Sequence, residues 1–242
     1  MSKVIVISGA SSGLGLSLSK KFVISGAAVL GFSRTKKHWK SAEETVGASN
    51  RFQLFQVDAT KENQVRSFFS KTISQYGTLD LVINNAGYGG ELALLHELSL
   101  SEFQKHIESN LYSVFLSAKY SIPIFRKQKR GSIINISSMA GKRAVPRLAA
   151  YSASKFGVVA LSQCIAKENS DFDLKCVTIC PGGMNTEMRA SLFGRKDANA
   201  QQSTDFVADV IYDVYSGTIK VDSGGDVVVR YGQVTVNSVP AA

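Results

Sequence analysis

The run Tyr151-Ser-Ala-Ser-Lys155, with Ser138 upstream in Asn-Ile-Ser-Ser, supplies a proton donor, a cation able to activate it and a hydroxyl able to orient a carbonyl. The apolar spacing of Phe156, Val159 and Ile165 predicts a helix over 151–165, which puts Tyr151 and Lys155 on one face. Tyrosine alone is a poor acid-base catalyst, because a reference pKa of about 10 leaves roughly 0.1% phenolate at neutral pH. Bringing that pKa to about 7 requires roughly 4 kcal/mol of preferential stabilisation of the phenolate, which an ammonium and a bound cationic group could share in a partly dry cleft. Taken by itself the pair also fits a surface helix whose Tyr and Lys fall four residues apart. The elements that must position it therefore decide.

Those elements begin at the N-terminus. Lys3 to Ser8 is a short β-branched run that ends in Gly9-Ala10-Ser11-Ser12-Gly13-Leu14-Gly15, and the apolar positions Leu14, Leu18, Phe22 and Val23 follow with helical period. The pattern predicts strand, tight turn and helix. Gly9 permits the turn, Gly13 lets backbone approach a pyrophosphate, and Gly15 removes bulk where helix and sheet pack, while the helix start offers N–H groups to phosphates. The spacing is G-x-x-x-G-x-G, and a glycine cluster alone is a weak signal.

Further apolar runs, AAVLGFS, FQLFQVD, LDLVINNAG, GSIINISS and LKCVTICPGG, alternate with helix-periodic intervals. Continuous rather than alternating apolar strands suit a parallel sheet covered on both faces. With 242 residues and no linker or low-complexity run, the chain is expected to form a single α/β domain over 1–242, a Rossmann-type doubly wound parallel sheet of about six or seven strands. Ligands in such sheets bind beyond the strands' C-terminal ends, here near Gly9, Arg34, Asp58, Asn84, Ser137 and Pro181.

The glycine loop, Asn84-Asn85-Ala86-Gly87, Asn110, Ser138, Tyr151-x-x-x-Lys155, and Pro181-Gly182 followed by Thr186 occur in one order and spacing over nearly the whole chain. In these the sequence resembles the short-chain dehydrogenase/reductase family, compact type. The resemblance implies a nicotinamide cofactor and a catalytic set of Asn110, Ser138, Tyr151 and Lys155. Tyr151 would be the general acid in reduction and the general base in oxidation. Lys155 would lower its pKa and bond the nicotinamide ribose, Ser138 would hold the carbonyl oxygen, and Asn110 would position a water leading to the lysine. Without the family, Asn110 reads sooner as an asparagine that bends or caps a helix than as a site residue, and Asn84 with Gly87 reads as a turn. Cofactor contacts are implied at Gly9, Ser11, Ser12, Gly13, Leu14, Gly15, Ala59, Asn84, Ala86, Gly87, Tyr151, Lys155, Pro181, Gly182, Met184 and Thr186, and Asp58 resembles the aspartate that bonds the adenine amino group.

Charge at the end of the second strand speaks to cofactor choice. An NAD site carries an acid there to bond the ribose hydroxyls. This chain has Ser33-Arg34-Thr35-Lys36-Lys37 and no acid before Glu43. Arg34 can meet a 2′-phosphate with its planar fork and Ser33 or Thr35 can add a hydroxyl, so NADP, with NADPH preferred over NADH, is expected. A solvated basic loop is the alternative.

The net charge of +9 invites comparison with nucleic-acid binders. The basic residues fall in separated groups, Lys36 to Lys40, Arg126 to Arg130, Lys142 with Arg143 and Arg147, and Arg195 with Lys196, without interleaved aromatics, so no nucleic-acid partner is expected. The third group flanks the substrate cleft, where it attracts an acidic substrate or stays in water. Cys164, Cys176 and Cys180, with His38, His96 and His106, lack ligand spacing, and no metal is expected. MSKVIVISG is already the first strand and no stretch reaches about 18 apolar residues, so no membrane association and a cytoplasmic location are expected.

Met139 to Leu148, Tyr88 to Leu92 and Met184 to Phe193 are expected to line the substrate pocket, and their Met, Val, Leu and Phe suit a small-molecule carbonyl or alcohol with apolar surface. Glu187 to Asn199 reads as a small mobile lid. Val221 to Gly225 resembles the ending of the 3-oxoacyl reductases but is followed by another strand-like run, Asp226 to Tyr231, and then by Gly232 to Val236, so the match is expected to be a turn before the seventh strand. Apolar Leu111, Val114, Phe115, Val158 and Leu161 on the helices around 102–122 and 152–166 predict a homodimer or homotetramer. The rival to a ketone–secondary alcohol oxidoreductase is a catalytically inactive NADP-binding regulatory or scaffold protein, which would have no need of Ser138, Tyr151 and Lys155 together.

Overall fold

In the computed structural model, which describes residues 2–47 and 50–239, the β-branched runs become a single sheet. Its strands are β1 (Val4–Ser8), β2 (Ala28–Ser33), β3 (Phe52–Gln56), β4 (Leu81–Asn84), β5 (Arg130–Ile136), β6 (Asp173–Pro181), β7 (Asp226–Arg230) and β8 (Gln233–Asn237). Their order is β3-β2-β1-β4-β5-β6-β7-β8. Seven strands are parallel, and β8 adds an antiparallel edge beside β7.

The helices are α1 (Gly13–Ile24), α2 (Trp39–Val46), α3 (Glu62–Tyr76), α4 (Leu100–Ile107), α5 (Ser113–Gln128), α6 (Ala149–Glu168), α7 (Glu187–Phe193), α8 (Arg195–Asn199) and α9 (Thr204–Ser216). The two-residue strand period sorts the core into two layers. Ile5 and Ile7 face Leu14, Leu18 and Phe22 of α1 and Val207, Ile211 and Val214 of α9. Val4 and Val6 face the opposite way, toward Phe68 and Phe69 of α3, Leu116 and Phe125 of α5 and Ile165 of α6. Burial on both faces is why these strands read as unbroken apolar runs.

The strand order reverses between β1 and β4, where Ile5 pairs with Leu81 and Ile7 with Ile83. Both chain directions leave a crevice there, at the C-terminal ends. Gly9, at φ +67°, turns the chain out of β1, and a Cβ on Gly15 would collide with the Gly9 carbonyl. Helix α1 can start against the strand end only because Gly15 has no side chain.

The ending after β6 is as the strand-like runs suggest. Gly224, at φ +87°, and Gly225 form a turn closed by Gly225 N–H to the Asp222 carbonyl at 2.9 Å, and β7 begins only at Asp226. A two-residue loop, Tyr231 at φ +52° and Gly232 at φ +74°, then returns the chain as β8. No helix among the described residues is long and apolar enough to cross a membrane.

Candidate active site

Three adjoining cavities run along the C-terminal ends of the strands. The first, about 280 Å³, is lined by Gly9, Ser11, Ser12, Ser33, Arg34, Thr35, Asp58, Ala59, Ala86 and Gly87. The second, about 220 Å³, shares Gly9, Ser12, Ala86 and Gly87 with it and adds Gly13, Leu14, Tyr151, Lys155, Met184 and Thr186. The third, about 450 Å³, shares Tyr151, Met184, Thr186 and Met188 with the second and adds Ser138, Gly182 and the apolar side chains of Met139, Val145, Leu148, Leu192 and Phe193. One cleft thus joins the basic loop after β2 to the Tyr–Lys pair, over a length sequence spacing alone does not reveal.

At the catalytic end, α6 carries Tyr151 and Lys155 on one face, as the periodicity predicts. Lys155 is buried, donates from Nζ to the Ile136 carbonyl at 2.9 Å, and lies 5.8 Å from the centroid of the Tyr151 ring. Burial lowers its pKa to about 8. Ser138 begins the 3₁₀ turn Met139–Gly141, where its Oγ accepts from the Ala140 N–H at 3.1 Å.

The protein alone does not lower the Tyr151 pKa as the spacing suggests. Burial pushes the phenol up, and a hydrogen bond with Ser138 only partly opposes it. The physical reason is that the ammonium aims at the Ile136 carbonyl rather than the phenol, while both groups pay for leaving water. Tyr151 is therefore held as a neutral phenol, the form able to give a proton.

Asn110 sits in a π-helical turn, Glu108–Tyr112, inserted between α4 and α5. Such turns rotate a side chain out of helical register and recur at functional sites. Here the fully buried Asn110 accepts the Tyr88 N–H at Oδ1 (2.7 Å) and donates from Nδ2 to the Tyr88 carbonyl and to Ser154 Oγ, each at 3.0 Å. Gly87 separates it from Lys155: a Cβ there would stand 3.2 Å from Asn110 Oδ1 and 3.7 Å from Lys155 Nζ.

At the other end, Arg34 is exposed and makes no ion pair among the described residues. Ser33 Oγ donates to the Thr35 carbonyl at 2.9 Å and accepts from Trp39 Nε1 at 2.8 Å, so its hydroxyl shapes the loop and Thr35 is the freer hydroxyl. Asp58 Oδ1 accepts from both the N–H (2.9 Å) and the Oγ1 (2.8 Å) of Thr60, which fixes the carboxylate at the cavity wall.

Four of the expected site residues do not line a cavity. Asn110 braces Tyr88, Gly15 packs under Gly9, and Pro181 closes β6 in the core. The Asn84 side chain turns into the sheet, donating to Asn135 Oδ1 at 2.7 Å, while its neighbour Asn85 lines the cleft. Strand alternation was the available signal, since Asn84 shares a face with Val82.

His38, Thr60 and Ser109 also line the first cavity, and Arg143, Arg230 and Tyr231 the third. Arg230 and Tyr231 reach the site only through the β7–β8 turn, which carries no local motif. The expected lid segment is helical: α7 and α8 meet at Gly194, and Arg189–Asp197 (2.5 Å) and Arg195–Glu187 (2.6 Å) pin them together.

The family model described as short chain dehydrogenase matches residues 3–197. The chain belongs to the short-chain dehydrogenase family. Among the relatives of this short-chain dehydrogenase is the L-fucose dehydrogenase of Rattus norvegicus, 32% identical over 186 residues, 77% of this chain and 67% of the relative. The solved structure of ElxO with NADP bound superposes with a TM-score of 0.86 at 26% identity, over 95% of this chain and 97% of that one. A 3-ketoacyl-(acyl-carrier-protein) reductase from Brucella melitensis complexed with NADH gives a TM-score of 0.86 at 25% identity, over 94% and 96%. Similar structures thus hold either nicotinamide cofactor, and the choice in this short-chain dehydrogenase must be argued from its own residues.

Proposed function

We propose that this chain is an NADP-dependent oxidoreductase that interconverts a ketone and its secondary alcohol. The observation that carries the reading is the continuous cleft from Arg34, without an ion-pair partner among the described residues, to Ser138, Tyr151 and Lys155.

The residues fit the cofactor. Gly9 at φ +67° and Gly13 at φ +51° offer a side-chain-free turn at the start of α1, suited to a diphosphate. Arg34, with Thr35 beside it, would receive a 2′-phosphate, and Asp58, on the wall of the same cavity, would bond an adenine amino group. Lys155, a buried cation with one carbonyl partner, has donors left for ribose hydroxyls. When bound, the nicotinamide supplies or accepts the hydride.

In reduction the developing alkoxide has to be protonated as it forms. Ser138 donates to the carbonyl oxygen and holds it beside the phenol. Tyr151 gives its proton to that oxygen and takes one back in the reverse direction. Lys155, 5.8 Å from the centre of the Tyr151 ring, would turn from the Ile136 carbonyl to the phenolate left behind, and Asn110, across Gly87, holds the Tyr88 backbone where a water would reach the lysine. Met139, Val145, Leu148 and Leu192 suit a substrate with apolar surface.

Self-association is part of the proposal. Val114 and Val158 are buried within the protomer, yet Tyr112 (53% exposed), Phe115 (47%) and Phe156 (44%) stay open on α5, α6 and the turn between α4 and α5, which supports a homodimer or homotetramer. Sedimentation at micromolar concentration is expected to show more than monomer, and monomer alone would remove this part.

The activity test is a panel of carbonyl compounds followed by NADPH absorbance, with NADH in parallel. Carbonyl-dependent loss of NADPH, faster than of NADH, is expected. No binding of NADPH and no turnover would overturn the reading.

A further inference from the structure

The third cavity carries positive charge that hydride transfer does not use. Three arginines, Arg143, Arg189 and Arg230, line it against one acid, Asp197. Arg189 is neutralised by Asp197, Nε to Oδ1 at 2.5 Å, and stacks 4.0 Å over Phe193. Of the basic group at 142–147, Lys142 is tied to Asp226 at 2.6 Å and Arg147 stands off the lining, its Nη2 on the Leu92 carbonyl at 3.4 Å. Arg143 alone of that group enters the cavity, with no carboxylate partner among the described residues.

The second unbalanced charge is Arg230, at the end of β7. Its Nη2 donates to Tyr231 Oη at 3.2 Å, and its guanidinium lies 4.5 Å from the centre of that ring. The backbone that holds the pair is costly. Tyr231 is 75% exposed at φ +52° in a two-residue turn, a conformation that favours Asn or Gly. Strand β8 itself lies on the surface, with Val234 38% and Val236 42% exposed and neither in the core, so core burial gives little reason for the hairpin. What the turn does achieve is to bring Arg230 and Tyr231 to the mouth of the catalytic cavity.

Between these arginines and the Ser138–Tyr151 pair the lining is apolar, through Met139, Val145, Leu148 and Met188. We infer that the substrate is a ketone or secondary alcohol whose apolar body ends in an oxyanion group, carboxylate or phosphate, received by Arg143 and Arg230. A guanidinium meets either group with its fork, and an unpaired charge at a cavity mouth selects partners of opposite sign. The inference rests on the oxidoreductase reading and narrows its substrate class.

The test compares matched ketones that share one medium-length apolar chain and end in a carboxylate, its methyl ester or a phosphate. With NADPH at low salt, kcat/KM for the acid is expected to exceed that for the ester by about 10-fold or more, and the ratio to shrink as salt rises, because exposed charges are screened within about 8 Å at physiological ionic strength. Arg143→Ala and Arg230→Ala are each expected to pull the acid-to-ester ratio toward one, whereas Arg147→Ala keeps it. The carboxylate and phosphate arms identify which oxyanion is preferred. Calorimetric binding of acid and ester to the NADP-saturated protein gives a readout where turnover is slow, with tighter acid binding lost in Arg143→Ala. Equal turnover or equal binding of acid and ester would overturn the inference and leave the oxidoreductase reading standing. Failure of that reading would appear separately, as absence of NADPH binding.

Discussion

Asn135 and Lys155 are both buried polar side chains on the α6 side of the sheet, and the molecule treats them oppositely. Asn135 accepts from Asn84 Nδ2 at 2.7 Å and donates to Ser162 Oγ at 2.8 Å, a neutral ladder linking β4, β5 and α6. Lys155 has three donors and a charge, and finds the Ile136 carbonyl; burial drags its pKa down to about 8. A satisfied neutral ladder stabilises a fold. A partly satisfied buried cation opposes folding, and is retained where chemistry needs it.

The comparison can be broken by removing either member. Asn135→Ala strips Asn84 and Ser162 of their partner and leaves a void, so unfolding in urea is expected to show a loss of about 2–4 kcal/mol. A loss under about 0.5 kcal/mol would mean that the ladder carries no weight.

Lys155→Met is expected to act in the other direction on stability. The wild-type shift from 10.5 to about 8 corresponds to at most about 3 kcal/mol of destabilisation, offset in part by the bond to Ile136. The sign follows from proton binding: between about 8 and 10.5 the unfolded lysine is protonated and the folded one is not, so raising the pH stabilises the wild type. Lys155→Met should therefore be the more stable protein at pH 7, its advantage should shrink as pH climbs through that window, and carbonyl reduction should fall by at least about 10²-fold. Lower stability of the variant at pH 7 would remove the contrast between the two regions.

Arg34 sharpens the comparison at the exposed end of the cleft, where water competes. Arg34→Ala is expected to weaken NADPH binding by about 1.5 kcal/mol, the low end for a charge-assisted hydrogen bond, and to leave NADH nearly unaffected. Arg34→Asp should reverse the preference, since a carboxylate bonds ribose hydroxyls and repels a 2′-phosphate. Titration by nicotinamide fluorescence decides; equal losses for both nucleotides would assign Arg34 to the fold or the shared diphosphate.

Legibility in the sequence tracks the same physics. Strands β1, β2 and β4 were readable because burial on both faces leaves nearly unbroken apolar runs, and α6 because Tyr151, Lys155 and the apolar positions share one period. The direction of the Tyr151 shift was not readable: spacing reveals the neighbouring ammonium but not the burial of both groups or the competing Ile136 carbonyl. Asn84 followed strand parity into the sheet, a signal outweighed by its place beside Gly87. The segment after Thr186 looked loose because Arg189–Asp197 and Arg195–Glu187 bridge two helices at a separation of eight residues, beyond the i+3 and i+4 pairs that a single helix brings together. Arg230 and Tyr231 enter the site through a hairpin turn that only the folded chain places there.

The central claim is that the neutral phenol of Tyr151 is the proton donor for carbonyl reduction. Single-turnover oxidation of bound NADPH by a ketone substrate, compared between wild type and Tyr151→Phe with NADPH affinity measured on the same preparations, tests it most directly. The account predicts a rate lower by at least about 10²-fold in Tyr151→Phe with NADPH affinity little changed; a near wild-type rate with NADPH fully bound would contradict it.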